Sequence, residues 1–173
     1  EYLIYLALGA VAGLVSGLFG LGGGALIVPI LLVSFVAQGF SPDIATHMAI
    51  ATSLATIVIT SMSSMYTHYQ RAAVRWELIK MVIPGILLGS LLGTLIFPTM
   101  DSKSLQLIFG LFLMIVGLYM LFSSPIVSGS SQPSAAPLNL GGIAIGALSS
   151  LLGIGGGIMV TPFLASFGVT IHR

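Results

Sequence analysis

The sequence is nearly devoid of charge. Its 173 residues include five Lys or Arg and four Asp or Glu, so that 5% of the chain is charged, whereas a soluble domain carries about 25%. Nine charged side chains cannot cover a soluble surface of this size, and 57% of the residues are hydrophobic. The composition therefore excludes a soluble domain and predicts a chain solvated by lipid. With a net charge of +1 and no basic patch, electrostatic binding of nucleic acid is excluded as well.

Cysteine is absent, which excludes disulfides, a thiolate nucleophile and cysteine-based metal sites. No cluster of carboxylates exists that could hold a divalent cation, so we expect neither a metal nor a cofactor. No lysine follows the glycine-rich segments as a phosphate-binding loop requires. Ser16 and His47 could suggest a serine hydrolase, but nothing completes a catalytic triad. We therefore expect a protein that is not an enzyme.

One glycine-rich block is present twice. The segments Gly9–Pro29 and Gly142–Pro162 are offset by 133 residues and are identical at nine of 21 positions. Eight of the nine shared residues are glycine, serine or proline, so what repeats is mostly a backbone geometry. A repeat of this kind indicates a chain built of two related halves.

Each copy interrupts an apolar run with a glycine triplet. The run from Leu3 to Ala37 is too long for one membrane span of about 20 residues and short for two. We expect each copy to be a hairpin of two short helices, fully crossing or re-entrant, that meet at an unwound tip. Irregular backbone at membrane depth persists only where protein or a water-filled cavity satisfies it, so each tip is buried or lines a cavity.

Three apolar segments between the copies are long enough to span a membrane. They are His47–His68, Leu78–Phe97 and Ser104–Phe122. Glycines also recur at every fourth residue in two places, and such small-residue faces let helices pack closely. The first face is Gly9, Gly13 and Gly17, and the second is Gly85, Gly89 and Gly93.

The spans divide the chain into an all-α membrane protein of two repeats. Residues 1–122 form the first repeat, the low-complexity segment Ser123–Leu138 is a flexible linker, and residues 139–173 begin the second. Counting the crossings puts the two hairpins on opposite sides of the membrane, so the repeats are inverted. Inverted repeats interrupted by glycine are typical of secondary transporters. By repeat logic the parent chain should run to roughly 260 residues.

The distribution of basic residues predicts the orientation of a multi-pass protein in the cell membrane. Arg71, Arg75, Lys80 and Arg173 fall on one side in this count, whereas Lys103 falls on the other. The positive-inside rule makes the first side cytoplasmic. The loop Tyr69–Glu77 and the linker Ser123–Leu138 are therefore expected in the cytoplasm.

The glycine triplets are the candidate site for an anion. An unwound glycine turn leaves N–H groups free, and the helix that follows points its positive end back at the turn. The alternative is that these glycines serve only tight helix packing. The triplets are Gly22, Gly23 and Gly24 in the first copy and Gly155, Gly156 and Gly157 in the second.

Four other repeated residues, and one that breaks the repeat, complete the candidate set. Ser16 and Ser149 are expected to satisfy backbone groups freed at the tips. Pro29 and Pro162 are expected to shape the second half-helix, with a gating hinge as the alternative. Thr161 replaces Val28 of the first copy and offers a hydroxyl to a bound anion.

Two histidines lie a short way beyond the hairpins at roughly matching places, His47 and His172. Ionisable residues within or at the edge of a membrane are functional candidates, and histidine titrates near neutral pH. Both are candidates for proton coupling. Because both also lie near loops, the alternative is an ordinary interfacial histidine.

The block at Gly13–Pro29, its echo at Gly146–Pro162 and the element Ala51–Leu54 resemble the TauE/SafE family of sulfite exporters, also called the toluene sulfonate uptake permease family. The resemblance implies a membrane carrier for small sulfur-containing anions such as sulfite, sulfonates or sulfoacetate. It also implies that the glycine turns, together with Thr52 and Ser53, bind the substrate. A second Thr-Ser element would be expected just after Arg173.

Two other function classes remain open at this point. A passive anion channel could use the same helix ends, and a membrane scaffold or sensor would need the repeats only for packing. The direction of transport, the coupling ion and the oligomeric state, a homo-oligomer included, are left open by the sequence.

Overall fold

The structure, a computed structural model, describes residues 9–14, 16, 23–70, 76–122 and 135–166. Its helices are α1 (Gly24–Ala37), α2 (Pro42–Gln70), α3 (Trp76–Ile96), α4 (Ser102–Phe122), α5 (Ala135–Leu152) and α6 (Gly157–Ser166). Residues 9–14 are also helical, and a 3-10 turn, Phe97–Thr99, follows α3. No strand occurs within these described ranges. The expectation of an all-α protein is therefore confirmed.

Three of these helices are long and apolar enough to cross a membrane. The qualifying stretches are Pro42–Thr67, Ile79–Thr99 and Ser102–Tyr119. They correspond to the three predicted spans, and they expose large apolar side chains such as Ile59 and Leu107, which suits contact with lipid. The multi-pass membrane character predicted from composition is thus present in the fold.

Helix α5 begins earlier than the sequence suggested. It starts at Ala135, so the last four residues of the predicted linker, 135–138, are helical. Two alanines favour helix at this point. Pro137 falls in the first turn, where a missing N–H breaks no helical hydrogen bond. Leu138 is completely buried, so packing holds the first turn in place.

Helices α3 and α5 pack with their backbones in contact. A Cβ atom at Gly85 would overlap the carbonyl oxygen of Asn139, and one at Gly89 would overlap that of Ile143. From the other side, a Cβ at Gly146 would overlap the carbonyl oxygen of Ile86. The predicted packing face at Gly85, Gly89 and Gly93 is therefore confirmed, and its partner is a helix of the second repeat. The rising order of paired residues shows that α3 and α5 run in the same direction.

The other predicted small-residue face has no such partner in the described part of the chain. Gly9 and Gly13 have no described atom within 4 Å of where a Cβ would stand. Gly17 lies outside the described residues. The expected close packing at Gly9 and Gly13 is therefore not seen, because no described helix lies against these two glycines.

Helices α2 and α4 begin side by side. The buried hydroxyl of Ser102 donates to the carbonyl oxygen of Asp43 at 2.8 Å. One turn further along both helices, the Gln106 amide donates to Thr46 Oγ1, also at 2.8 Å. Since the first contact joins the first turns of the two helices and the second joins their second turns, α2 and α4 are parallel.

Helices α1 and α6 lead from the glycine-rich turns toward different ends of the bundle. Helix α1 ends at Ala37 and is joined by residues 38–41 to the start of α2. Helix α6 instead folds back along α5, because a Cβ at Gly141 would overlap the ring of Phe163. A cluster of buried hydrophobic residues surrounds the point between them, with Val28, Ile50 and Ile154 among its members. The core of the molecule is therefore centred on the glycine-rich turns.

Candidate functional site

The helices that follow the two glycine-rich turns begin with the same hydrogen bonds. The carbonyl oxygen of Gly23 accepts from the amides of Leu26 and Ile27, both at 3.1 Å. The carbonyl oxygen of Gly156 accepts from Met159 at 3.1 Å and from Val160 at 2.8 Å. These pairs are related by the same 133-residue offset as the sequence repeat. The two copies thus share the hydrogen-bond pattern at the start of these helices as well as a residue pattern.

The two turns touch each other. A Cβ atom at Gly24 would overlap the carbonyl oxygen of Gly153 and would stand 2.7 Å from the Cα of Ile154. Only glycine lets the first turn of α1 approach the backbone of the second copy this closely. The structure therefore brings the two copies together at one point, called the turn junction below (Gly23, Gly24 and residues 153–157).

Helix α2 supports the turn junction from the side. The hydroxyl of Ser53 donates to the carbonyl oxygen of Gly153 at 2.7 Å, and Ser53 is completely buried. A Cβ at Gly153 would stand 3.0 Å from the carbonyl oxygen of Ile50. Ser53 is therefore held by the turn, whereas its neighbour Thr52 is exposed and has no hydrogen-bond partner among the described residues.

Positive φ angles and repeated serines shape the turns. Gly23 has φ 74° and Gly153 has φ 65°, values that side-chain-bearing residues rarely adopt. Ser16 Oγ accepts a hydrogen bond from the amide of Gly23. Ser149 Oγ donates to the carbonyl oxygen of Ile154. Both serines satisfy turn backbone, as predicted, but one does so as an acceptor and the other as a donor.

The backbone is the source of positive potential at the turn junction. The first amides of an α-helix have no acceptor within the helix, and the aligned peptide dipoles give this end roughly half a positive charge. Helices α1 and α6 both begin at the turn junction and contain no charged residue. Two helix N-termini in one apolar region can stabilise an anion without any arginine or lysine.

The predicted site residues are not all within the described structure. Gly23 and Gly24 are at the turn junction, with Gly155 and Gly156 half-buried and Gly157 exposed. Thr161 and Pro162 lie in α6, but their side chains are outside the description. Gly22 and His172 fall outside the described residues altogether.

His47 is in the second turn of α2 and faces α4. Its Nδ1 lies 2.9 Å from the carbonyl oxygen of Asp43 and 3.4 Å from Ser102 Oγ. Because a carbonyl only accepts, Nδ1 carries the proton in this pair. The ring also packs against Phe97 with centroids 5.0 Å apart. None of these described contacts is with the turn junction.

Pro29 lines a groove of about 180 Å³ between α1, α2 and α4. Val28, Ile50 and Phe109 form much of its apolar wall, and Thr46 and Gln106 supply its polar groups. Because proline has no N–H, the carbonyl oxygen of Ala25 lacks its usual helical partner. Pro29 thus removes a helical hydrogen bond just after the first turn of α1. Its role in shaping the half-helix stays a prediction.

Two residues that contribute to this region were missed by sequence reasoning. Gly153 provides both the contact with Gly24 and the acceptor for Ser53. The sequence repeat did single out this residue, since Gly153 and Gly20 form one of the nine identical pairs. The second missed residue is Gln106, which bonds to Thr46. As the one amide side chain in the apolar run of α4, it could have been recognised from the sequence.

Comparisons with known proteins agree on one family. A model of the family "Sulfite exporter TauE/SafE" matches residues 5–173. A probable membrane transporter protein of Haemophilus influenzae is 34% identical over 173 residues, covering 99% of this chain and 65% of the relative. One of Methanocaldococcus jannaschii is 34% identical over 179 residues, covering 100% and 66%. The chain thus spans just under two thirds of the length of these relatives. No solved structure matches it.

Proposed function

The chain belongs to the sulfite exporter TauE/SafE family, and from that premise we propose that it is part of a secondary transporter for small sulfur-containing anions. Sulfite, sulfonates and sulfoacetate-like organic acids are the substrate class. The relatives' names support membrane transport, and the family's name supports sulfite.

The observation that carries the proposal is the contact between Gly24 and Gly153. It places the start of α1 against the second glycine-rich turn, from which α6 begins. An anion at this point would meet the positive ends of both helices. We assign the binding site to the turn junction, with Gly22 completing the first triplet.

Thr52 and Thr161 are proposed as hydroxyl ligands of the anion. Thr52 adjoins the buried Ser53, which is bonded to the turn, and its own hydroxyl is unpartnered among the described residues. Thr161 lies in the second turn of α6. Ser53 has a different role in this proposal, since its hydroxyl already holds the Gly153 carbonyl in place.

We further propose that the two repeats, residues 1–122 and the segment beginning at 139, are inverted and give alternating access. The directions of α1 and α6 support inversion, because α1 leads from the turn junction to the end where α2 begins and α6 folds back along α5. Movement of one repeat against the other would expose the site to one side at a time. Pro29 and Pro162 would shape the half-helices in this movement.

Proton coupling is proposed for His47 and His172. Moving an anion with a proton avoids the electrical cost of about 2.3 kcal/mol per charge per 100 mV. The described contacts of His47 with Asp43 and Ser102 both involve Nδ1. Replacing His47 by Gln should make sulfite flux indifferent to an imposed pH gradient, and unchanged pH dependence in that variant would refute its role.

The proposed activity is tested with the full-length protein in proteoliposomes. A carrier should show saturable sulfite uptake that is accelerated by sulfite loaded on the opposite side. Non-saturable flux without countertransport would indicate a passive channel instead. Absence of flux for sulfite and simple sulfonates, in a preparation shown to be folded, would favour a scaffold or sensor and overturn the proposal.

A further inference from the structure

Most Ser and Thr hydroxyl groups of helix α2 lie on one side, with Ser61 as the exception. At about 100° per residue, seven Ser and Thr side chains fall within an arc of about 120°. This hydroxyl face consists of Thr52, Ser53, Thr56, Thr60, Ser63, Ser64 and Thr67. From Ser53 to Thr67 it extends about 21 Å, at 1.5 Å per residue. That length exceeds half the thickness of the hydrocarbon core, which is about 30 Å.

The inner end of the hydroxyl face is the turn junction. Ser53 donates to the carbonyl oxygen of Gly153 and is completely buried. Thr56, one turn further, is half-buried, and beyond it Thr60, Ser64 and Thr67 are exposed. The face therefore runs continuously from the buried contact between the two copies to the open end of α2.

The outer end of the hydroxyl face is basic. Arg71 and Arg75 follow Gln70 in the sequence, with Glu77 as the one acidic residue nearby. Lys80 is exposed close to the start of α3. The opposite end of α2 carries Asp43 in its first turn instead. The charge at the outer end is thus of the sign that attracts anions.

Hydrogen bonding leaves much of this face available to water. Thr56 and Thr67 donate to the carbonyl oxygens of Ser53 and Ser63, at 2.7 and 3.0 Å. Each keeps oxygen lone pairs directed outward. The side-chain hydroxyls of Ser63 and Ser64 have no hydrogen-bond partner among the described residues. Placing such hydroxyls against hydrocarbon would cost a few kcal/mol each, whereas water satisfies them.

The other side of α2 shows what a lipid-facing surface of this helix contains. Val58 and Met62 are 61% and 65% exposed, and Met65 is similarly exposed. They lie at the same depth as Thr60 and Ser64 but about half a turn away around the helix. The two exposed sides thus differ in chemistry and not in position along α2.

We infer that the hydroxyl face of α2 lines a water-filled access path between the turn junction and the end of α2 at Gln70. The inference rests on the proposed function in one respect, that the solute using the path is the transported anion. Water and the hydrated anion are its occupants, and the exposed Lys80 adds positive charge near its outer end.

These 173 residues contain no cysteine, and any cysteine elsewhere in the full-length protein is first replaced by serine, so that each introduced thiol is the only one present. Single variants Thr60→Cys and Ser64→Cys are compared with Val58→Cys and Met62→Cys in the full-length protein, in sealed membranes. The probes are two membrane-impermeant methanethiosulfonates, one anionic and one cationic. Such reagents need a thiolate, which forms in water and not in lipid.

Fast labelling at Thr60→Cys and Ser64→Cys but not at the two controls is the expected result. The anionic reagent should react about tenfold faster than the cationic one. Equal labelling on both sides of α2 would overturn the inferred path. Absence of labelling on the hydroxyl face would overturn it as well, because it would mean that lipid or another helix covers the face. Labelling does not require transport, so selective reactivity without sulfite flux would keep the path while refuting the proposed function.

Discussion

Gly24 lies against the carbonyl group of Gly153, so that the first residue of one half-helix touches the turn that precedes the other. Residues 129 positions apart in the chain are joined here without any side chain between them. Glycine allows close packing of backbone at this point, and exposure of amides to an anion is its second, proposed use. Variants at different glycines of the turn junction can separate them.

Gly24→Ala and Gly156→Ala are predicted to fail for different reasons. The methyl group of Gly24→Ala would overlap the Gly153 carbonyl, so folded protein should be lost. At Gly156 the nearest atom to a Cβ is Val160 Cγ2 at 3.9 Å, an ordinary contact. That variant should fold, while sulfite flux at low substrate falls about tenfold, the effect of about 1.4 kcal/mol of lost binding. Size-exclusion profiles and proteoliposome flux measure the two outcomes, and normal flux in folded Gly156→Ala would exclude that residue from the site.

Ser53→Ala is predicted to destabilise the protein through the Gly153 carbonyl. Loss of the 2.7 Å hydrogen bond leaves a buried acceptor unsatisfied, which costs about 1–3 kcal/mol. Thr52→Ala is the matched control, because Thr52 is exposed and should alter the free energy of unfolding by less than about 0.5 kcal/mol. Thermal unfolding in detergent makes the comparison. Equal unfolding temperatures for the two variants would contradict a structural role for Ser53.

Gly89→Ala is predicted to separate α3 from α5. Its methyl group would overlap the carbonyl oxygen of Ile143, and overpacking of this kind costs about 1–3 kcal/mol. Gly117→Ala in α4 has open space within 4 Å and serves as the control. That change should be neutral or stabilise by up to about 1 kcal/mol, because alanine loses less backbone entropy. A Gly89→Ala variant as stable as Gly117→Ala would show that the helices do not pack this closely.

The start of α4 is predicted to loosen in acid. A side-chain hydrogen bond with Ser104, and then the Ser104 amide, lower the pKa of Asp101 below its usual 3.8. Because the folded pKa is the lower one, the capping contribution is complete above the usual value and disappears as pH falls through the folded value. Amide exchange at Ser104 should therefore accelerate in strongly acidic solution. Asp101→Asn, which caps without titrating, should remove this pH dependence, and its persistence would assign the effect to another group.

The class of the protein and its central motif could be predicted from the sequence, because they depend on composition and on an internal repeat. It also predicted that Ser16 and Ser149 would satisfy turn backbone. It could not distinguish the two glycine series. Gly85 and Gly89 pack against α5 whereas Gly9 and Gly13 have no described neighbour, although the spacing is the same. Spacing identifies a surface that permits close approach, and only the tertiary arrangement supplies the partner.

The boundary of α5 shows a second limit of the sequence. Composition made residues 123–138 a single linker, yet the buried Leu138 draws its last residues into helix. Likewise, the spacing of His47 gave no sign that Asp43 and Ser102 would be its partners. Such contacts depend on how two distant helix ends meet.

The close packing of α3 against α5 determines which helices can move together. Helix α3 belongs to the first repeat in sequence, but its closest neighbour is the entering helix of the second hairpin, held through main-chain contact. Sliding the whole first repeat past the second would break this main-chain contact between α3 and α5. In the proposed movement of one repeat against the other, α3 must therefore move together with α5, so that the boundary between the moving parts differs from the boundary of the repeats in the sequence.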